Sequence, residues 1–299
     1  MKLEALHGGL YLRHPLFPET RCGEAIELAR AFFALSLPEK RRLGIENSPH
    51  FRGYSEMRNE RDWREQIHFG REEASAHGAA HQQLRGPNLW APIPDWRERM
   101  LALMADLELA GRDALDVLAR QAGLSGKDLL PADEAPYLLL KLIHYLEPPS
   151  PEARSGVAPH VDFSWITLIL QDTAGGLQAL SPGGGWRDVP HVPGTLVLQI
   201  GEILQSASRN HFPATPHRVV NRPGAGSRIS LPFFLNPALD RWIAPAEGLA
   251  ESPFPNDPEH VHRVFTEPRR EPFCFGGEEW KRKGLGVWCA SCVSASTYA

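Results

Sequence analysis

The residues of this chain that could do chemistry are His160-Val161-Asp162, His217 and, further on, Arg228-Ile229-Ser230. Two imidazoles and one carboxylate offer a metal two nitrogens and one oxygen on a single face. That donor set leaves coordination positions open on a non-haem Fe(II) for a co-substrate and dioxygen. Three protein donors in an octahedron leave three positions; a 2-oxo acid would fill two, through its keto oxygen and carboxylate, and O2 the third. Arg228 presents a planar fork that matches the far carboxylate of such an acid, and a lysine there would not be equivalent. Ser230 lies two residues on, on the same strand face, where its hydroxyl can donate to the same carboxylate.

These groups have to be positioned by strands. Side chains alternate along a strand, so His160 and Asp162 point to one side while Val161 points away. The third donor must come from elsewhere in the sheet. His217 begins the strand-like run His-Arg-Val-Val, and the 54 residues between it and Asp162 are enough for several antiparallel strands to bring the chain back. Competing histidines fit less well: His144 precedes the motif, His191 sits between turns, and His211 lies in a polar stretch without strand character. A lone His-x-Asp arises readily by chance as a polar pair; its weight comes from His217, Arg228 and Ser230 following on predicted strands.

The rest of the chain reads as helices first and strands after. Thr20 can cap a helix over about 21–35 whose apolar positions, from Ala25 to Phe33, fall at helical spacing, with Pro38 opening the next turn. Residues 47–54 read as a polar loop, 62–70 as a short mixed stretch without assignment, and 74–94 as a long surface loop. His68, His77 and His81 lie in or near that loop and read as solvated. Pro94 and Asp95 open the clearest helix, to about Ala122, ended by Gly123. Its buried stripe is Met100, Leu101, Met104, Leu107, Leu115 and Leu118, and Gly111 marks a possible bend. From Pro136 the character changes to strands at about 137–145, 165–171, 177–180, 186–189, 195–200, 217–221 and 228–235, separated by Gly- and Pro-rich turns. No long helical pattern intervenes, which excludes parallel βαβ units and favours an antiparallel sandwich or barrel. One domain is expected over 1–299: a helical N-terminal segment (1–135), a β core carrying the metal site (136–240), and a C-terminal extension (241–299) packed on the core, with a short helix near Pro258–Phe265.

Composition narrows the function classes. Formal net charge is −4 and no dense Lys/Arg run offers a phosphate-binding footprint, so nucleic acid is not an expected partner. Cys22, Cys274, Cys289 and Cys292 are too few for a disulfide framework in 299 residues and suit a reducing compartment. Cys289-Ala-Ser-Cys292 has C-x-x-C spacing but no second half-site, and reads as two incidental thiols. The N-terminus shows no leader pattern and no apolar run reaches membrane-spanning length, so a cytoplasmic protein without membrane contact is expected, as a monomer or weak homo-oligomer.

The constellation His160-x-Asp162, His217, Arg228-x-Ser230 resembles the 2-oxoglutarate- and Fe(II)-dependent dioxygenases of the isopenicillin N synthase type. The likeness extends over most of the chain. Pro38-Glu-Lys, Arg52-Gly-Tyr54 and Asp62-Trp-Arg-Glu65 look like the family's N-terminal half. Leu142-Ile-His-Tyr145, Thr167-Leu168, Leu170-Gln171-Asp172 and Gly175-Gly-Leu-Gln178 look like its β core. The resemblance implies a mixed α and β fold with a double-stranded β-helix (jelly-roll, cupin-like) core flanked by N-terminal helices. It implies His160, Asp162 and His217 as iron ligands and as the catalytic set, and Arg228 and Ser230 as the holders of 2-oxoglutarate. Tyr145 matches a tyrosine that in some members touches co-substrate or substrate. The implied reaction oxidises, first of all hydroxylates, a small organic molecule with O2 as oxidant and releases succinate and CO2. Two departures stand out: the N-terminal strand ahead of the first helix is missing or very short, and Leu146 stands where a proline is common.

Two other readings stay open. Isopenicillin N synthase itself and the aminocyclopropane carboxylate oxidases share Arg-x-Ser but work without 2-oxoglutarate. A small-molecule-binding β-barrel could keep the fold and lose the chemistry. For the substrate, Phe163, Trp165, Arg52, Tyr54 and Phe234 are candidate pocket residues. A mid-sized molecule of specialised metabolism is the expectation, by analogy alone.

Overall fold

A computed structural model describes residues 1–6, 9–59, 62–147, 155–181, 184–221, 226–252 and 269–284. The apolar runs of the second half pair into a large antiparallel sheet. Its centre is β12 (Arg228–Leu235), which pairs with β5 (Leu138–Tyr145) on one side and β7 (Ile166–Gln171) on the other. The full order is β1-β2-β10-β7-β12-β5-β4-β3, with β1 Lys2–Leu6, β2 Gly9–Arg13, β3 Gly53–Arg58, β4 Trp63–Phe69 and β10 Leu196–Ile200. A second sheet of four strands, β6-β11-β8-β9, comprises Ser155–His160, His217–Val220, Leu177–Leu180 and Trp186–Asp188. Two facing antiparallel sheets formed largely from residues after 136 make the double-stranded β-helix core.

The two faces of the large sheet serve different ends. On one, α1 (Glu19–Phe33) and α3 (Trp96–Gln121) lay their apolar sides over β7 and β12, burying Phe32, Trp96, Met100, Leu107 and Leu115. Gly111 lets α3 come close: a Cβ there would meet Leu235 Cδ2 at 3.1 Å. It marks an approach of helix to sheet, and α3 ends as expected at Gly123, whose φ of 74° lies in the left-handed region that favours glycine. On the other face Ile143, Tyr145, Ile169 and Val197 meet Leu177, Ala179 and Val219 of the small sheet. This second, smaller core stops short of filling the gap between the sheets, and the remainder is a cavity of about 780 Å³.

Several expectations are corrected. The N-terminal strand is present: β1 and β2 pair with each other and β2 joins β10, because Tyr11 and Leu12 bury both faces of the strand. Residues 1–135 are therefore not simply helical, since they supply four strands of the large sheet. Thr20 does not cap α1, which starts at Glu19 behind Pro18 without a side-chain cap; Ser36 instead forms a full capping box with Glu39 on α2 (Leu37–Arg42). The polar loop at 47–54 runs into β3, and the unassigned stretch 62–70 is β4. In α3, Leu103 is buried where Leu101 was expected, Leu101 being only partly covered. A six-residue helix, α5 (Glu202–Ala207), interrupts the strands after β10; α4 is the short turn Gly126–Leu129. Near the end of the described chain, α6 (Phe275–Arg282) contributes Glu279 and Arg282 to the cavity lining. The helix expected near 258–265 and the pair Cys289 and Cys292 lie outside the described residues. Cys22 and Cys274 are free thiols. No helix among the described residues is long and apolar enough to cross a membrane.

Candidate metal and co-substrate site

His160 closes β6 and His217 opens β11, and the two strands pair so that these residues stand directly opposite each other. Their rings lie 4.2 Å apart, centroid to centroid. Asp162 is not on the strand, as the alternation argument assumed; it follows two residues after the end of β6. Its carboxylate nevertheless reaches the same point, with Oδ1 3.6 Å from His160 Nε2 and Oδ2 3.7 Å from His217 Nε2. One donor atom from each residue lies within 4.8 Å of the others, the spacing of a set that could hold one metal ion.

The surroundings fix which atoms face that point. The Nδ1 atoms of His160 and His217 lie 2.8 and 2.9 Å from the carbonyl oxygens of Ala158 and Thr215. A carbonyl only accepts, so each Nδ1 carries the proton and each Nε2 turns a lone pair inward. Thr167 donates its hydroxyl to Asp162 Oδ2 at 2.6 Å from β7, on the other sheet. Burial and the neighbouring His217 hold His160 far below the usual histidine range, and so keep it neutral. Burial alone would raise Asp162, but His217, His160 and the Thr167 hydroxyl outweigh it and keep the carboxylate ionised. Two inward lone pairs and a buried anion with no cation among them suit a divalent ion.

Arg228 and Ser230 sit on the facing wall, at the start of β12, with Arg228 opposite Tyr145 of β5. The guanidinium lies over the Tyr145 ring at 4.8 Å and donates to Ser230 Oγ and to Gln171 Oε1, each at 3.1 Å. It is 5% exposed, and among the described residues it has no carboxylate partner and its Nε has no acceptor. A buried guanidinium without a counter-charge is costly. An incoming carboxylate would meet that need, so these residues fit a co-substrate acid as the histidines and Asp162 fit a metal.

Both halves of this arrangement have counterparts in known proteins. Residues 137–237 match the model of the 2OG-Fe(II) oxygenase superfamily, and residues 5–93 match that of the non-haem dioxygenase in morphine synthesis N-terminal region. A 2-oxoglutarate-Fe(II) type oxidoreductase of Aspergillus fumigatus is 33% identical over 284 residues, covering 86% of this chain and 81% of that protein. The chain belongs to the 2-oxoglutarate–Fe(II) oxygenase superfamily. A solved 2OG-Fe(II) oxygenase family protein from Caulobacter crescentus shares the fold at a TM-score of 0.74 and 27% identity, over 92% of this chain and 89% of that one. Neurospora crassa T7H, solved with alpha-KG and 5-formyluracil, superposes at 0.73 over 92% of this chain and 85% of its own, at 24% identity. This oxygenase is thus a non-haem Fe(II)- and 2-oxoglutarate-dependent dioxygenase that oxidises a small organic molecule with release of succinate and CO2.

Of the other candidate pocket residues, Phe163 and Phe234 line the cavity. Trp165 is 1% exposed in the core, Arg52 is bonded to the carbonyls of His50 and Leu84, and Tyr54 donates to Glu65. His144 is bonded to Glu65 at 2.8 Å, away from the metal point. His77 is exposed and His81 pairs with Asp240, but His68, read as solvated, is 2% exposed on β4 and faces the cavity. Sequence reasoning also passed over Lys141. Its signal was a single lysine inside the apolar run Leu138–Tyr145, two and four residues from Ile143 and Tyr145 and so on their face.

Proposed function

We propose that His160, Asp162 and His217 hold the iron of this oxygenase and that Arg228 and Ser230, over the face of Tyr145, hold the far carboxylate of 2-oxoglutarate. The reaction we infer is hydroxylation of a mid-sized organic molecule of specialised metabolism. The observation that carries this reading is the convergence of three donor atoms within 4.8 Å on one wall of the cavity that Arg228 enters from the opposite wall. Bound iron and 2-oxoglutarate supply the oxidising chemistry. The protein's own role is positioning. The Ala158 and Thr215 carbonyls set the histidine tautomers, Thr167 sets the carboxylate, and Arg228 offsets the charge of the diacid. Ile143, Ile169, Leu177 and Val219 keep this end of the cavity apolar and short of water. Because the N-terminal segment supplies strands to the large sheet, we take the chain to work as one unit, in the cytoplasm, as a monomer or weak homo-oligomer.

The test is turnover with separate measurement of O2 uptake and succinate. Equal amounts of each are expected, with Asp162→Ala abolishing both. O2 uptake without succinate would replace this reading with that of a 2-oxoglutarate-independent oxidase.

A further inference from the structure

The cavity that holds the candidate metal site is lined by more charge than the metal and the co-substrate use. Arg64 pairs with Asp62 at 3.1 Å, Arg282 with Glu202 at 2.8 Å, and Lys283 with Glu279 at 2.8 Å. Asp162 is assigned to the metal and Arg228 to 2-oxoglutarate. One charged lining residue is then left over, Lys141. It makes no hydrogen bond or ion pair among the described residues, and its Nζ lies 5.1 Å from the centre of the Phe234 ring. Burial, then Arg64 and Lys283, push its pKa down to about 7, while Asp162 and Glu279 act weakly the other way.

A second observation comes from the neighbouring strand. His68 stands directly opposite Lys141 in the β4–β5 pair, so both side chains lie on the cavity face, with Cβ atoms roughly 5 Å apart. His68 is 2% exposed and, among the described residues, neither of its ring nitrogens has a partner. A buried imidazole normally satisfies at least one nitrogen, so His68 has hydrogen-bonding capacity to offer a ligand in the cavity. Burial, together with Lys141 and Lys283, holds it well below the usual range, so it is neutral and offers one N–H donor. Above the two, Phe51 lies 5.4 Å from the His68 ring and carries Lys283 Nζ at 4.0 Å from its own centre.

We propose that Lys141 and His68 form an anion-binding end of the substrate pocket, and that the prime substrate is a small organic acid held there by its carboxylate. Phe51 and Phe234 supply apolar faces for its body. The inference rests on Arg228 and Ser230 being the 2-oxoglutarate clamp. Along β5, Lys141 is four residues from Tyr145, which faces Arg228, about 13 Å at the rise of a strand. The two carboxylate stations therefore stand apart along one sheet face, one at the end of β5 and the other near its middle.

The test uses the whole chain, loaded with Zn(II) in place of iron and with saturating 2-oxoglutarate. Its lysines are converted to isotope-labelled dimethyl-lysines, which keep their charge. The Lys141 resonance is identified by its loss in Lys141→Arg and titrated with pH, alone and with phenylacetate or the uncharged phenylacetamide. With phenylacetate up to about 50 mM, the apparent pKa of Lys141 is expected to rise saturably by about one pH unit or more, a tenfold preference for the charged pair. Phenylacetamide is expected to leave it unchanged, and His68→Leu to weaken the phenylacetate effect several-fold. No saturable phenylacetate effect, or an equal effect of the amide, overturns the proposal. Should 2-oxoglutarate alone raise the Lys141 pKa while Arg228→Gln keeps full 2-oxoglutarate affinity, the clamp assignment is what fails, and this inference with it.

Discussion

The hydroxyl of Thr167 gives the sharpest test of the positioning argument. Thr167 is fully buried on β7 and donates to Asp162 Oδ2 at 2.6 Å; its other polar neighbour is Ser164 Oγ at 3.3 Å. Thr167→Val keeps the shape, removes the donor and leaves the carboxylate with one oxygen unheld. A hydrogen bond to a charged acceptor contributes about 1.5–3 kcal/mol. If most of that is spent orienting Asp162 toward the metal point, metal affinity should fall by about 10–100-fold, the range found for partners that hold metal ligands. Thr167→Ser keeps a hydroxyl and should lose far less. The measurement is anaerobic calorimetry of Fe(II) or Mn(II) binding to all three proteins, with thermal unfolding of the metal-free forms as the check on folding. Equal metal affinity in Thr167→Val and the parent, with both folded, would refute the claim that this hydroxyl positions Asp162.

Other consequences can be checked alongside. Arg228→Lys retains the charge but loses the fork, so 2-oxoglutarate affinity should drop at least tenfold in calorimetry; unchanged affinity would remove Arg228 from the clamp. Gly201 cannot take a side chain, because a Cβ would collide with the Ser164 carbonyl, which is held in turn by the Ile203 amide at 3.1 Å. Gly201→Ala should cost about 1–3 kcal/mol, seen as a melting-temperature loss of several degrees. Glu65 is buried, which by itself would raise its pKa, but hydrogen bonds from His144, Lys40 and Tyr54 outweigh this and lower it from 4.5 to about 2. A depressed carboxylate stabilises the fold fully above its unfolded pKa, so this contribution, on the order of 3 kcal/mol, should fade as pH falls from about 4.5 toward 2. Glu65→Gln should flatten that stretch of the acid-unfolding curve, and an unchanged curve would show that the network is not what acid breaks.

The chemistry of the site was legible because its groups are rare types at strand spacing. His160, Asp162, His217, Arg228 and Ser230 all reach the same cavity. The strands of the second half were legible because β7, β10 and most of β12 are buried runs rich in Ile, Leu, Val and Phe, bounded by turn residues. β4 was not, and the reason is physical. Its inward positions Arg64, Gln66 and His68 face a polar cavity, so the alternation that marks a half-buried strand is inverted there. The same inversion hid His68 among loop histidines. Asp162 reached its place by leaving the strand, a bend that a period-two argument cannot see.

The division of the site between two layers has one more consequence. His160 and His217 belong to the small sheet, whereas Arg228, Ser230 and Tyr145 belong to the large one. On the proposed assignment, a diacid held at one end by the metal and at the other by Arg228 would be a strut between the layers. Loading should act as a clasp on the jelly roll, and at a hundred times its dissociation constant it would add about 2.7 kcal/mol to the folded state. Amides of β6 and β11 should then exchange more slowly with solvent once metal and 2-oxoglutarate are both present than with either alone.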